Sequence, residues 1–310
     1  MEEQNKPIAL LKDLKLTDRF LFDETMEDPE AHQAVLSIIM RNAVKLLPEN
    51  EVEKQLQTLP YLKSVRLDVF AMDAEENVYN TEMQKSRKSD LQKRSRFYQS
   101  LIDSSLLPPG SISYNLLNDS YIIMITPFDL FGYGKYQYTF QAKCKEVPEL
   151  HLADGATRIF LNTKGKNADQ VSEELIHFLK YVENTDDETA EESNSELIKK
   201  IHECVKKVKS SEEAGVKYMQ AWEEKVYERE EGREEGREEG ESIRVIKLIM
   251  AKVTKNLDEK TIAEHLEESE KFVGLVCRII KENPTSDAKE IWRKCNNESN
   301  KQPDVESVLS

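Results

Sequence analysis

The chain has 310 residues, 38% hydrophobic and 33% charged, with a formal net charge of −15. That length accommodates one substantial core plus an appended module, and no apolar run reaches the roughly 20 residues of a membrane span. The start, MEEQNKPIALLKDLKLTD, lacks the basic and long apolar regions of a secretory signal, so a cytoplasmic location is expected.

Residues 8–22 and 29–47 read as two helices, the second opened by Pro29 and carrying Val35, Ile38, Ile39 and Leu46 near helical spacing. Residues 64–71 alternate Val65, Leu67 and Val69 against Arg66, Asp68 and Phe70, the pattern of a strand. Residues 73–77 form a polar turn and residues 78–84 the return strand. From 88 to 106 the period becomes helical, with Leu91, Phe97, Leu101 and Ile102 on one side and basic residues opposite, until the Pro-Pro-Gly of 108–110. Residues 121–131 begin as a continuous apolar strand of the kind buried at a sheet centre. Two further strands follow at 135–144 and 157–164, with Gly132 and Gly134 as turn residues before the first of them. Residues 169–182 read as a closing amphipathic helix. Helices thus flank a mixed central sheet, and the fold class is α/β.

Near residue 184 the composition shifts. NTDDETAEESNSE reads as an acidic linker, so residues 1–184 are expected to be the first domain and 185–228 a linker followed by a helix. REEGREEGREEG (229–240) reads either as an exposed charged helix with Glu–Arg pairs at i,i+3 or as a flexible spacer. Residues 241–310 are expected to be a small, mainly helical region, with helices at 243–255 and 261–281 and a frayed end. Cys144, Cys204, Cys277 and Cys295 stand far apart with no CxxC pair, and the five histidines lack HExxH or HxxxH spacing. Reduced thiols are therefore expected, and no zinc site.

The candidate site lies on the hairpin. Residues at i and i+2 of a strand share a face, so Glu82 and Gln84 project together. Asp68 lies about as far before the turn as Glu82 lies after it, which makes the two cross-strand neighbours within reach of one cation. Asp68, Glu82 and the backbone carbonyl of Met83 are candidate metal ligands, with Gln84 placed to orient a water or a phosphate oxygen. Taken alone, this D-x13-E-x-Q spacing also fits ordinary polar residues on the wet side of a hairpin. Directly after it, Lys85, Arg87, Lys88, Lys93, Arg94 and Arg96 face only Asp90 in sequence. Such a basic stretch beside two carboxylates suits a phosphate backbone. The overall acidity does not oppose this. Residues 183–310 carry 22 Lys+Arg and 32 Asp+Glu, against 22 and 27 in residues 1–182.

The ordered segments RLDVFAMDAEENVYNTEMQ, KRSRFYQSLID, YIIMITPFDLFGYGKYQYTF and RIFLNTKG resemble the transposases and recombination-promoting nucleases of the PD-(D/E)XK nuclease superfamily. The resemblance covers residues 14 to about 184. It implies a restriction-endonuclease-like core followed by a mainly helical tail, and Mg2+-dependent cleavage of DNA, with Mn2+ as a substitute ion. By that resemblance Asp68 is the metal-binding aspartate, Glu82 the acid of the (D/E)xK motif, and Gln84 stands where lysine is usual. Glutamine keeps the hydrogen bonding and loses the cation, a charge that Arg94 or Arg96 on the next helix could restore. An acid on the first helix is also common in the superfamily. Asp18 and Glu24 are the candidates, although Asp18 equally suits a helix cap. Tyr98 is a candidate for the cleft wall or for the core.

Two functional readings remain open at this point. One is a DNA endonuclease linked to recombination or mobile elements. The other is a catalytically silent DNA-binding or assembly protein that keeps the fold. In both the partner is DNA rather than a membrane, and the C-terminal helices are candidates for homo-oligomer formation.

Overall fold

The structure, a computed structural model, describes residues 9–47, 51–52, 55–56, 65–66, 68–107, 110 and 112–299. Of the positions predicted above, Ile8, Ser64, Leu67, Pro108, Pro109 and residues 300–310 lie outside this set. The chain divides into two compact units, Met1–Met219 and Gln220–Ser310.

The first unit opens on helices α1 (Arg19–Met26) and α2 (Pro29–Met40). The predicted helix over 8–22 is a misreading: Asp18 accepts from the Phe20 amide as the N-cap, so the helix can only begin after it. Leu14 and Leu16, within the predicted helix, enter the core from non-helical backbone instead. Helix α2 stops short of residue 47 because Arg41 adopts a left-handed conformation (φ 58°) and ends it.

Strands β1 (Glu51–Val52), β4 (Val69–Met72), β5 (Val78–Met83), β6 (Ser120–Thr126), β7 (Gln137–Phe140) and β8 (Ala156–Asn162) form one sheet in the order β1-β4-β5-β6-β8-β7. A separate two-stranded ribbon pairs β2 (Gln55–Leu56) with β3 (Val65–Arg66). The hairpin of β4 and β5 is antiparallel, β5, β6 and β8 run parallel, and β7 is antiparallel to β8. The sheet is therefore mixed, as expected. Its turn at 73–77 is held by Asp73, whose carboxylate accepts from the Glu75 and Asn77 amides.

One face of the sheet presents Val69, Tyr79, Met83, Ile123, Ile125, Ile159 and Leu161 to a core shared with α1, α2, α4 (Glu173–Glu183) and α6 (Glu196–Ser210). The other face presents Phe70, Val78, Ile122, Met124 and Phe160 to helix α3 (Leu91–Leu106). On α3 the buried aromatic is Tyr98 rather than the predicted Phe97, which is 38% exposed. Adjacent positions differ by about 100° around a helix, so one residue decides which ring is inside.

The expected domain end at 184 is also corrected. The acidic stretch 184–196, read as a linker, holds α5 (Asp187–Glu192) and the first residue of α6, which is the helix expected after it. Ile198, Ile201 and Val205 of α6 are fully buried in the main core, and Thr185 Oγ1 accepts from the Leu16 amide at 2.8 Å. Helix α7 (Glu212–Val253) contains the REEG run as continuous, exposed helix, with Arg237 paired to Glu234 at i,i+3.

In the second unit, Ile246 and Ile249 of α7 pack with Ile262 of α8 (Glu259–Leu266), Val273, Val276 and Ile279 of α9 (Glu270–Glu282), and Ile291 of α10 (Ala288–Ser299). The single helix predicted over 261–281 is thus two, parted where Glu267 turns left-handed (φ 56°) and Ser269 caps α9. All four cysteines are free thiols. No helix among the described residues is long and apolar enough to cross a membrane.

Candidate active site

The hairpin register pairs Val69 with Thr81, so one step further Asp68 meets Glu82. The backbone amide of Asp68 donates to Glu82 Oε1 at 3.0 Å, and the amide of Met83 donates to Asp68 Oδ2 at 3.3 Å. Each acid is thus fixed by the other strand. Alternation along β5 turns Glu82 to the α3 side and Thr81 to the opposite side, where its hydroxyl lies 3.4 Å from His32 Nε2. Asn80, two residues before Glu82 on the same side, also donates to Glu82 Oε1 (3.3 Å).

Two arginines complete the site. Arg94, one turn into α3, directs Nη2 to Glu82 Oε2 (2.8 Å), Nη1 to Gln84 Oε1 (2.9 Å) and Nε to the Tyr98 hydroxyl (2.6 Å). Gln84 Nε2 donates to the Ser86 carbonyl at 2.9 Å, which orients its amide oxygen toward the guanidinium. Arg19, the first residue of α1, places Nη2 2.5 Å from Asp68 Oδ1 and Nε 3.2 Å from Asp23 Oδ2.

Asp68 is 2% exposed and Glu82 fully buried. Burial, followed by the charge of Glu82, raises the Asp68 pKa well above the ordinary carboxylate range even with Arg19 in contact. Burial also raises Glu82, although Arg94 and the hydrogen bonds from Asp68 and Asn80 pull the other way. Burial likewise works against the charges of Arg19 and Arg94, but the carboxylates beside them outweigh it and raise both. Two guanidinium groups thus meet three carboxylates, Asp23, Asp68 and Glu82.

Of the sequence-predicted residues, Asp68, Glu82, Met83 and Gln84 come together as expected. Arg94, one of the two arginines expected to restore charge beside Gln84, directs its nitrogens to Glu82, Gln84 and Tyr98. Lys85, Arg87, Lys88, Lys93 and Arg96 are exposed. Asp18 caps α1 and pairs with Lys85 at 3.4 Å, and Glu24 pairs with Lys217 at 3.5 Å. Among the described residues, no three acidic, histidine or cysteine side chains converge on one metal-sized point. Reading the sequence missed Arg19, Asp23 and Asn80. The i,i+4 spacing of Arg19 and Asp23 was the available signal, since it puts both on one helical face.

A protein-family model described as PD-(D/E)XK nuclease family transposase matches residues 42–235, which include the hairpin, α3, the parallel strands, α4 to α6 and the start of α7. No curated protein and no solved structure matches the chain. The family match covers more than half of the sequence and contains both paired acids, and the chain belongs to the PD-(D/E)XK nuclease family transposases.

Proposed function

We propose that the chain is a Mg2+-dependent DNA endonuclease that hydrolyses phosphodiester bonds in recombination or the movement of mobile elements. The observation that carries this reading is the buried pair Asp68 and Glu82, locked across a hairpin and left with raised proton affinity. A dication offsets the excess of three carboxylates over two guanidinium groups. The donor set fits Mg2+, since the two carboxylates and the Met83 carbonyl are all hard oxygen ligands. Two carboxylates, with water and substrate phosphate completing the shell, is an ordinary Mg2+ arrangement.

Asp68, Glu82 and the Met83 carbonyl would hold the ion, which when bound neutralises phosphate charge and makes a coordinated water more acidic. Gln84 orients the attacking water or a phosphate oxygen. Arg94, held by Tyr98 and Glu82, supplies beside Gln84 the positive charge that the usual lysine would bring. Asp23 acts through Arg19 to fix the rotamer of Asp68. The exposed Lys85, Arg87, Lys88, Lys93 and Arg96 hold the DNA backbone. Because one site cuts one strand, a double-strand cut calls for two copies, for which the C-terminal helices are the proposed contact.

The test is plasmid nicking by the purified chain in Mg2+ or Mn2+. Asp68→Ala and Glu82→Ala should each abolish it, and undiminished nicking in both variants would sink the assignment. The contacts of Arg19 and Arg94 favour one alternative, a catalytically silent DNA-binding or assembly protein, because each already neutralises one acid. In that case DNA binding persists in chelator and no divalent ion supports cleavage. A calorimetric Mn2+ titration would then give the same result for the wild type and Asp68→Ala.

A further inference from the structure

Beside α3, on the same side of the sheet as Glu82, lies a recess of about 260 Å³ that the chemistry above does not use. The strand registers put Glu82, Met124, Phe160 and Tyr138 in one row across β5, β6, β8 and β7. At about 4.8 Å per strand step, Phe160 lies roughly 10 Å from Glu82. The recess therefore opens within a few nucleotides' reach of the paired acids.

Three phenylalanines wall it. Phe131 stands 5.0 Å from Phe140 and 5.2 Å from Phe160 between ring centroids, and Phe140 and Phe160 meet edge-on. Phe131 is carried on a loop that Asp129 ties down, its carboxylate accepting from the amides of Phe131, Gly132 and Gly134 and from the Tyr138 hydroxyl. The wall is thus preorganised. Phe140, on the sheet's edge strand, keeps 42% of its surface exposed. Arg158 provides the only charge in the lining, and its buried Nε has no hydrogen-bond partner. Gln92 and Gln141 add amides. Gln141 Nε2 already donates to Thr157 Oγ1 at 2.9 Å, which leaves its amide oxygen for an incoming donor.

A patch that merely closed the end of the core would bury its rings and pair its guanidinium nitrogen. Here a ring face, an unpaired donor and two amides meet in a space below the ~300–1,000 Å³ of drug-sized pockets, a size that suits one flat ring. We propose that the recess is a base-binding subsite, which takes one unstacked nucleobase of the DNA strand whose backbone passes along α3 to Asp68 and Glu82. Phe140 and Phe131 stack on the base, which tolerates any sequence because every base has a π-face. Arg158 and the glutamine amides bond its edge. Duplex DNA must expose a base to use the site, so the subsite favours single-stranded or locally opened DNA. This proposal rests on the DNA-cleaving reading above.

The test uses the full chain in chelator and a short single-stranded oligodeoxynucleotide carrying one 2-aminopurine, whose fluorescence falls when the base stacks on an aromatic ring. The wild type should quench it. Phe140→Ala should lose the quench and weaken binding about tenfold, the scale of one base–aromatic stack. Arg158→Gln should weaken binding as well, and neither variant should change the affinity for a fully paired duplex of the same sequence. Matching thermal melts would establish that both variants fold. Unchanged quench and affinity in both variants overturn the subsite, even if the wild type nicks plasmid. Absence of nicking with this binding pattern intact overturns the catalytic reading alone. If the mononucleotide dAMP bound as tightly as the oligonucleotide, the assignment to a DNA strand would fall.

Discussion

Arg94 donates to the amide oxygen of Gln84 at 2.9 Å, and its other terminal nitrogen holds Glu82 at 2.8 Å. Glutamine and arginine thus form one unit, in which a hydrogen-bonding group on the strand is backed by a cation from the following helix. Arg94→Ala would strip a fully buried carboxylate of its counter-ion. Breaking such pairs costs about 3–5 kcal/mol, and the 24% exposure of the Arg94 side chain argues for the lower end. Adding Glu82→Gln should recover much of that loss, because the neutral amide needs no counter-ion. Urea unfolding of the double-mutant cycle measures the coupling, and additivity to within about 0.5 kcal/mol would refute it.

The raised pKa of Asp68 fixes the sign of a pH effect. Its folded pKa lies above the unfolded value because of burial and then Glu82, so the native state holds a proton that the unfolded chain releases. Without divalent ions, this group lowers stability as pH rises from the ordinary aspartate range through its raised folded pKa, and the penalty stays in place above that. Asp68→Asn should therefore stabilise the metal-free protein at neutral pH while removing the proposed cleavage. Thermal melts in chelator across the acid-to-neutral range test this. A destabilised Asp68→Asn at pH 7 would mean that the contact with Arg19 outweighs burial.

His32 acts in the opposite sense. It is fully buried beneath β5, touches Thr81, and burial drives its pKa down to about 3. The unfolded chain protonates near pH 6.5, so the native state loses stability as pH falls below that value. Between pH 6.5 and 4.5 the loss is on the order of 2–3 kcal/mol. Replacing His32 by Gln should flatten this part of the curve relative to wild type, as read by urea midpoints at the two pH values. An unchanged difference would show that the imidazole stays neutral at no cost to the fold.

The hairpin was legible because every cue for it is local: alternation along 65–71 and 78–84, a polar turn, and acids equidistant from that turn. The same locality explains the misreadings. Leu14 and Leu16 fall within the predicted first helix, but both are drawn into the core from non-helical backbone ahead of the Asp18 cap. The contact of Arg19 with Asp68 depends on how α1 packs beneath the sheet, which no local pattern encodes. A helix was expected where α6 lies, but not its place in the main core. Ile198, Ile201 and Val205 have helical spacing, but the acidic stretch before them suggested a linker.

That last point changes where the chain can be cut. Truncation after residue 184 removes three fully buried side chains from the main core, on the order of 5–9 kcal/mol at ~1.5–3 kcal/mol each. Such a loss matches the whole stability of many domains. A fragment ending at 184 should be unfolded. One ending at 219 keeps α6 and the Tyr218 hydroxyl bond to the Ala9 carbonyl, and should fold cooperatively. Circular dichroism melts of the two fragments decide, and a cooperative melt of the shorter one would contradict the placement of α6.

The REEG run yields a prediction that rests mainly on local helix energetics, because most of it is exposed and Glu239, paired with Lys289 at 3.0 Å, is left untouched. Gly232, Gly236 and Gly240 sit in helical backbone of α7, and a Cβ added at any of them meets no atom within 4 Å. Glycine in an exposed helix costs roughly 0.5–1 kcal/mol relative to alanine, mostly through the entropy of the unhelical chain. Each Gly→Ala change should therefore slow local opening several-fold, and the three together should add, since no side chain couples them. Hydrogen exchange of the amides in 229–240 measures this directly. Unchanged or faster exchange in the triple variant would refute the propensity argument.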